Sequence, residues 1–418
     1  MGLLSLRPLH NKHSELLIGI HPTDVGYFDW LERGKRGTMV ERILTLREIN
    51  RATLARQLLL ERVHLSALDA IKQLAGLQSQ LPNPPYIGLW SRVHAFQREE
   101  LIQLLEQRQV VRTSMMRRTL HLMAAEDYVR FRPALYSLHK RDLQAHFDKQ
   151  QSGLEQDSLI ARMRAFVQEK PRTNIELRAK LAELVPNGSE QFLYKVRISL
   201  SLIQVFPGGV WGVGGSPAYA EAPTWLGRSF ISEGEGLRSL ILSYLRAFGP
   251  ASVKDLQIWS GLSRLQPAVD ALRAELVTFR DEQGRELFDV PDAPLPSIDR
   301  PAPVRFMPDF DNLVLGYQDR QRIIADKYRP FVFPGNSMVL PTFLVDGFVG
   351  GVWKIERTMT RAILRIQAFE PLAETVRQEL REEGERLMHW VREKITDFEI
   401  VFAEYDGKVL GQNLWGRL

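Results

Sequence analysis

Two glutamines one residue apart, Gln78 and Gln80, follow an apolar helical run of Leu68, Ile71, Leu74 and Ala75. Pro82, Pro84 and Pro85 come next and bar that helix from continuing. Two side-chain amides just past a helix end form a donor–acceptor pair. Such a pair holds a water or a polar ligand but cannot take its proton, because an amide has no useful pKa. Chemistry here must rest on positioning rather than on a strong base. Alone, Gln78-Ser79-Gln80 reads better as a polar cap and surface loop. The apolar helix before it, the proline clamp after it and a basic turn nearby raise it toward a site.

That basic turn opens the second constellation, Arg117-Arg118-Thr119-Leu120-His121. In an alternating strand Arg117, Thr119 and His121 share one face, with Leu120 and Leu122 on the other. A cation, a hydroxyl and an imidazole in a row suit a phosphate or a base edge. An exposed strand face is an equal alternative, and His121 by itself reads better as a structural histidine. A third group holds Asp309 and Asp311, then Arg320 and Arg322. Paired carboxylates suit acid–base work, but these two stand at a turn before an apolar segment, where capping is the commoner role. Arg320 and Arg322 are within reach of phosphate in such a reading. Tyr86, Trp90 and Trp211 read as core aromatics.

Composition narrows the choices. The chain has 418 residues, 44% apolar and 25% charged, as in an ordinary water-soluble protein of several domains. No run of eighteen apolar residues is present, so no transmembrane helix and no membrane partner are expected. The stretch Leu16–Ile20 is too short for a signal-peptide core, and a cytoplasmic protein is expected. With no cysteine, disulfides, thiolate nucleophiles, iron–sulfur clusters and cysteine-based zinc sites are excluded. The nine histidines lack ligand spacing, so neither a metal nor a cofactor is expected. Net charge is a mild +5, but between Arg108 and His146 eight basic residues meet only Glu126, Asp127 and Asp142. That arginine-rich stretch favours nucleic acid over a merely solvated face.

The elements that must position these residues are legible as a repeated order. From Gly236, an apolar run through Leu245 stops at Gly249-Pro250. Ser252 caps a short helix ended by Gly261, and Ser263 caps a third helix bearing Val269, Leu272 and Leu276. Strands 277–280 and 286–290 follow, joined across Asp281-Glu282-Gln283-Gly284. Helix, helix, helix, hairpin is the winged-helix order. A second copy places helices over 174–184 and 190–202, with strands 202–206 and 210–213 around Pro207-Gly208-Gly209. A first copy places helices over 51–63, 68–75 and 99–107, with strands 110–115 and 119–123 turning at Met116-Arg117-Arg118. Beyond Arg300, strands 338–345, 350–356 and 361–368, a charged helix over 370–394 and a strand over 398–403 form a β-rich end, after a proline-rich linker over 291–303. The expected fold is therefore mainly α with β wings: three tandem winged-helix domains over 39–150, 151–232 and 233–295, then a C-terminal β-rich domain over 296–418. Residues 1–38 read as an extension, with Met39 as a candidate natural start.

Taken together, 46–62, Gly76 to Gln80, Arg117 to His121, 249–253, 259–262, Asp311 to Leu313 and Asp319-Arg320 resemble the AlkZ-like and YcaQ-like winged-helix DNA glycosylases. The resemblance runs from Leu46 to about Ala403. It implies a basic concave surface for double-stranded DNA with alkylated bases. It implies hydrolysis of the N-glycosidic bond of cationic N7-alkyl purines, by a monofunctional enzyme, with unhooking of some interstrand crosslinks. The family's Gln-x-Gln or Gln-x-Asp motif falls on Gln78 and Gln80 as catalytic residues, and Gln80 places the chain nearer the AlkZ-like branch. Arg117, Arg118, Thr119, His121, Arg320 and Arg322 are the expected DNA contacts, in a monomeric, nucleoid-associated bacterial repair enzyme. The competing reading is a non-catalytic winged-helix regulator, which would dimerise on a palindrome. No long heptad helix is present for that role.

Overall fold

A reciprocal capping box, a Ser or Thr followed three residues later by an acid, starts four of the described helices. Thr45 with Glu48 opens Leu46–Arg56, Thr173 with Glu176 opens Asn174–Leu184, Ser232 with Glu235 opens Glu233–Phe248, and Ser252 with Asp255 opens Val253–Ser260. In each, the hydroxyl accepts from the third residue's N–H while the carboxylate accepts from the cap's own N–H. The computed structural model describes residues 41–136, 143–144, 156–185, 190–335, 337–357, 361–391 and 397–405. The extension read at 1–38 lies outside them. None of the described helices is long and apolar enough to cross a membrane.

The order read from Gly236 onward is present. Helices Glu233–Phe248, Val253–Ser260 and Gln266–Ala271 precede an antiparallel pair, Val277–Asp281 with Glu286–Asp289. Gly261 ends the second helix in the left-handed conformation, at φ 79°. Ser263 does not cap the third; the N–H of Leu265 is taken instead by the Gln257 side chain at 3.0 Å. Strand Ile43–Leu44 adds to this hairpin in parallel with 277–281.

Ahead of it, helices Leu46–Arg56, Ala67–Gln73 and Arg98–Glu106 precede strands Val110–Ser114 and Leu120–Ala124. The first helix starts five residues earlier than the apolar spacing indicates, because the Thr45 cap sets its origin. Pro84 and Pro85, expected only to break structure, occupy the first turn of a helix over Pro84–Trp90. A missing N–H costs nothing at that position. In the next stretch the expected strand 210–213 is absent. Strand Leu202–Gln204 pairs instead with Ala218–Glu221. Val210 and Trp211 lie in the intervening loop because their side chains pack into the core around Tyr86 and Trp90.

The two hairpins merge. Strands Leu77–Gln78, 120–124, 110–114, 202–204, 218–221 and Arg172–Thr173 lie in that order in one six-stranded sheet. A second, five-stranded sheet runs 305–307, 342–345, 348–357, 361–368 and 397–404, with the last pair parallel and helix Glu374–Val391 between them in sequence. One apolar cluster joins Ile71, Tyr86 and Trp90 to Phe306, Trp353 and Leu387, so this sheet shares a core with the helices that carry the glutamine motif.

Candidate active site

Helix Ala67–Gln73 ends at Leu74, and the chain reverses through Ala75 and Gly76 at φ 52° and 89°. Glycine is required there twice over. Its φ is left-handed, and a Cβ would lie 2.1 Å from Met123 Sδ. The reversal sends Leu77 and Gln78 along strand 120–124, opposite Leu122 and His121. The motif thus begins in a sheet rather than in a loop. Gln78 is buried and Gln80 exposed.

Arg112, on the next strand, holds the motif's backbone. Its Nε donates to Ser79 O and Oγ at 3.0 Å, and its Nη2 to Ser79 O at 2.7 Å and Gln80 O at 3.1 Å. Its Nη1 donates to Gln204 Oε1 on the strand beyond. Burial draws this guanidinium down to about 10, so it remains charged at neutral pH. Sequence reasoning counted Arg112 only as part of a basic stretch. The signal available was its place in a strand among Val110, Val111 and Thr113, where alternation alone does not tell inside from outside.

Arg117 lies in the turn Met116–Arg118 rather than in the strand, at φ 54°. Its guanidinium donates to Gln78 Oε1 at 2.8 Å, Trp259 O at 2.5 Å and Asn312 Oδ1 at 3.1 Å. Burial first, then the charge of Arg320, lowers it to about 10. His121 is fully buried, and its Nδ1 meets Thr119 O at 3.0 Å. Nδ1 must carry the proton to bond a carbonyl, which leaves Nε2 an acceptor without a partner. Burial, then Arg117, pushes its pKa down to about 3, so the ring is neutral.

The other expected DNA contacts divide. Arg118 is exposed and Thr119 half-buried, its hydroxyl donating to Met116 O at 3.2 Å. Arg320 is half-buried over the Phe333 ring at 4.4 Å, with Nε unpartnered. Arg322 is internal. It donates to Pro250 O at 2.9 Å, stacks over Tyr317 at 4.1 Å and lies 3.8 Å from Asp255. The arginine-rich stretch is likewise not one surface. Arg132 is buried and donates to Ile198 O at 2.6 Å, while Arg108 stacks on Trp225 at 3.9 Å. Lys140 and Arg141 lie outside the described residues. Asp311 caps helix Asn312–Leu315 and pairs with Arg92 through two hydrogen bonds of 2.9 Å, a structural role as read from the turn.

A cleft of about 300 Å³ opens beside Gln80. Thr113, Ser114, Leu120, Tyr194, Arg197 and Tyr219 are among its walls. The size is that of small-molecule sites. Aromatic rings, hydroxyls and one guanidinium give it faces for a planar polar group. Among the described residues, Gln80 makes hydrogen bonds only through its Oε1, 3.5 Å from the Leu120 N–H, and through its backbone.

Residues 71–390 match the family model for AlkZ-like DNA glycosylases. The chain belongs to that family. It is a DNA glycosylase, an enzyme of DNA repair. Among solved structures it resembles the DNA glycosylase AlkZ of Streptomyces sahachiroi, with a TM-score of 0.72 and 19% identity, over 86% of this chain and all of that one. At that identity the likeness speaks for the fold. Curated protein sequences contain no match. Gln80 thus lines an open cleft, and Gln78, two positions before it, is held by Arg117.

Proposed function

We propose that this glycosylase hydrolyses the N-glycosidic bond of N7-alkylated purines in duplex DNA, with Gln78 and Gln80 as catalytic residues, and that it acts as a monomer. The observation that supports the reading is that of two amides two positions apart, Gln80 is exposed and lines the cleft while Gln78 is buried and anchored by Arg117. A purine alkylated at N7 is cationic and leaves without being protonated. The C1′–N9 bond breaks with its electron pair passing to the ring, whose charge it cancels. Water oxygen bonds C1′, and its proton passes to solvent. Such a reaction needs an oriented water and fixed dipoles, which two amides supply without a base. Asp311, the carboxylate beside Asn312, is already committed to Arg92.

Crosslinks that join N7 positions present the same leaving group, so unhooking follows from the same chemistry. We read the helix and hairpin groups over 46–124, 156–221 and 233–289 as three winged helices, with Arg118, Thr119 and Arg320 offering phosphate contacts. The test is base release from a duplex carrying N7-methylguanine, detected as an alkali-labile abasic site. The wild-type chain is expected to release the base. Gln80→Ala is expected to lose about a hundredfold in single-turnover rate, the scale of one well-placed polar group, with duplex affinity retained. Absence of release from both the methylated and a crosslinked duplex would move the substrate to another class of base.

A further inference from the structure

The two glutamines are chemically alike but differently held. A side-chain amide has an acceptor end and a donor end, whereas a guanidinium only donates. The end of Gln78 that meets Arg117 at 2.8 Å is therefore its oxygen. Arg117 is itself fixed from behind by Trp259 O and Asn312 Oδ1. Asn312 has no freedom to turn over, because its Nδ2 donates to Gly76 O at 3.2 Å. All three acceptors around Arg117 are uncharged groups, so each must present an oxygen to it. The Nε2 of Gln78 makes no hydrogen bond among the described residues. Among the described residues the Gln80 side chain has only the long 3.5 Å contact of its Oε1 with Leu120 N–H, which a water can replace.

We propose that Arg117 is a positioning residue that locks the Gln78 amide with its NH2 toward the substrate, so that Gln78 is purely a donor and Gln80 supplies the acceptor. The inference rests on the glycosylase reading of the motif. A water between the two amides accepts from Gln78 and donates to Gln80, leaving one lone pair for C1′. As the O–C1′ bond forms and the C1′–N9 bond breaks, the proton on Gln80's side passes out to solvent. Arg117, expected from sequence to touch DNA, instead sets the polarity of the catalytic pair.

The experiment compares Gln78→Glu and Arg117→Met with wild type in single-turnover release of N7-methylguanine, alongside duplex affinity and melting temperature. Gln78→Glu keeps an oxygen for Arg117 and removes the NH2. Its rate is expected to fall about a hundredfold while affinity and melting temperature hold. A rate equal to or above wild type would overturn the proposal, because this position would then supply an acceptor or a base. Arg117→Met frees the amide to rotate. A lower rate at saturating enzyme with unchanged affinity is expected; weaker binding with a flatter salt slope and an unchanged rate would make Arg117 a phosphate contact instead. Should Arg117→Met not fold, Gln78→Glu decides alone. If wild type releases no base at all, the substrate reading fails, and the amide is read by NMR of glutamine-labelled wild type. Strong Overhauser contacts between the Gln78 NH2 and the guanidinium protons would then overturn the lock; their absence, with the NH2 resolved, supports it.

Discussion

At the scale of single residues, burial decides what a side chain can do. His121 keeps the neutral tautomer because the sheet excludes water and Arg117 stands nearby. Its folded pKa, about 3, lies below the unfolded value near 6.5. On acidification the unfolded chain therefore takes up a proton that the folded chain refuses. The stability that the neutral ring contributes is complete above about pH 6.5 and is lost progressively as pH falls toward 3. Between pH 7 and pH 5 the loss from this residue is about 2 kcal/mol. Urea unfolding of wild type and His121→Gln at both pH values measures it. The variant's midpoint is expected to change less between them. An equal change in both proteins would show that His121 does not set the acid sensitivity.

At the scale of elements, the short strand Leu77–Gln78 depends on the turn before it. Gly76 lets the chain leave its helix at φ 89° and pass against Met123. Gly76→Ala costs about 1–2 kcal/mol from the left-handed backbone alone, and a Cβ 2.1 Å from Met123 Sδ forces that buried side chain to move as well. Because Gln78 lies two residues on, base release is expected to fall along with melting temperature. A destabilised but fully active variant would show that the strand's placement is not what orients the amide. The next element is tied down similarly. Tyr86 OH accepts from Trp211 N–H and donates to Gly209 O, both at 3.2 Å, and Gly212 N–H donates to Asn83 Oδ1 at 2.9 Å. The loop after strand 202–204 is thus fastened to the segment that follows Gln80.

At the scale of the whole molecule, buried bidentate ion pairs join elements far apart in the chain. Arg92 meets Asp311, and Arg56 meets Asp289 at 2.5 and 2.7 Å, with all four side chains essentially inaccessible. Removing one partner leaves a carboxylate buried without its counter-charge. Arg92→Leu is expected to cost about 3–5 kcal/mol in urea unfolding. A loss below about 1 kcal/mol would mean that Asp311 finds another partner. Since Asp311 also accepts from Leu313 N–H and precedes Asn312, the site on Arg117 is expected to loosen with it.

Local signals carried much of this molecule into its sequence. The order of helices and hairpin over 233–289, the Ser252 cap, the Gly261 stop and the Gln78-Ser79-Gln80 motif depend on residues within a few positions of one another, so spacing exposes them. Position along the chain does not reveal which arginines face solvent. Arg117 finds partners 142 and 195 residues away, and Arg112 finds Gln204 92 residues away. Only the tertiary structure decides that Arg112 and Arg117 hold the motif from within, that Arg322 and His121 are internal, and that two hairpins share one sheet. The strand expected over 210–213 gave way for the same reason: Trp211 fills a core built by residues far along the chain, and the segment around it turns rather than extends.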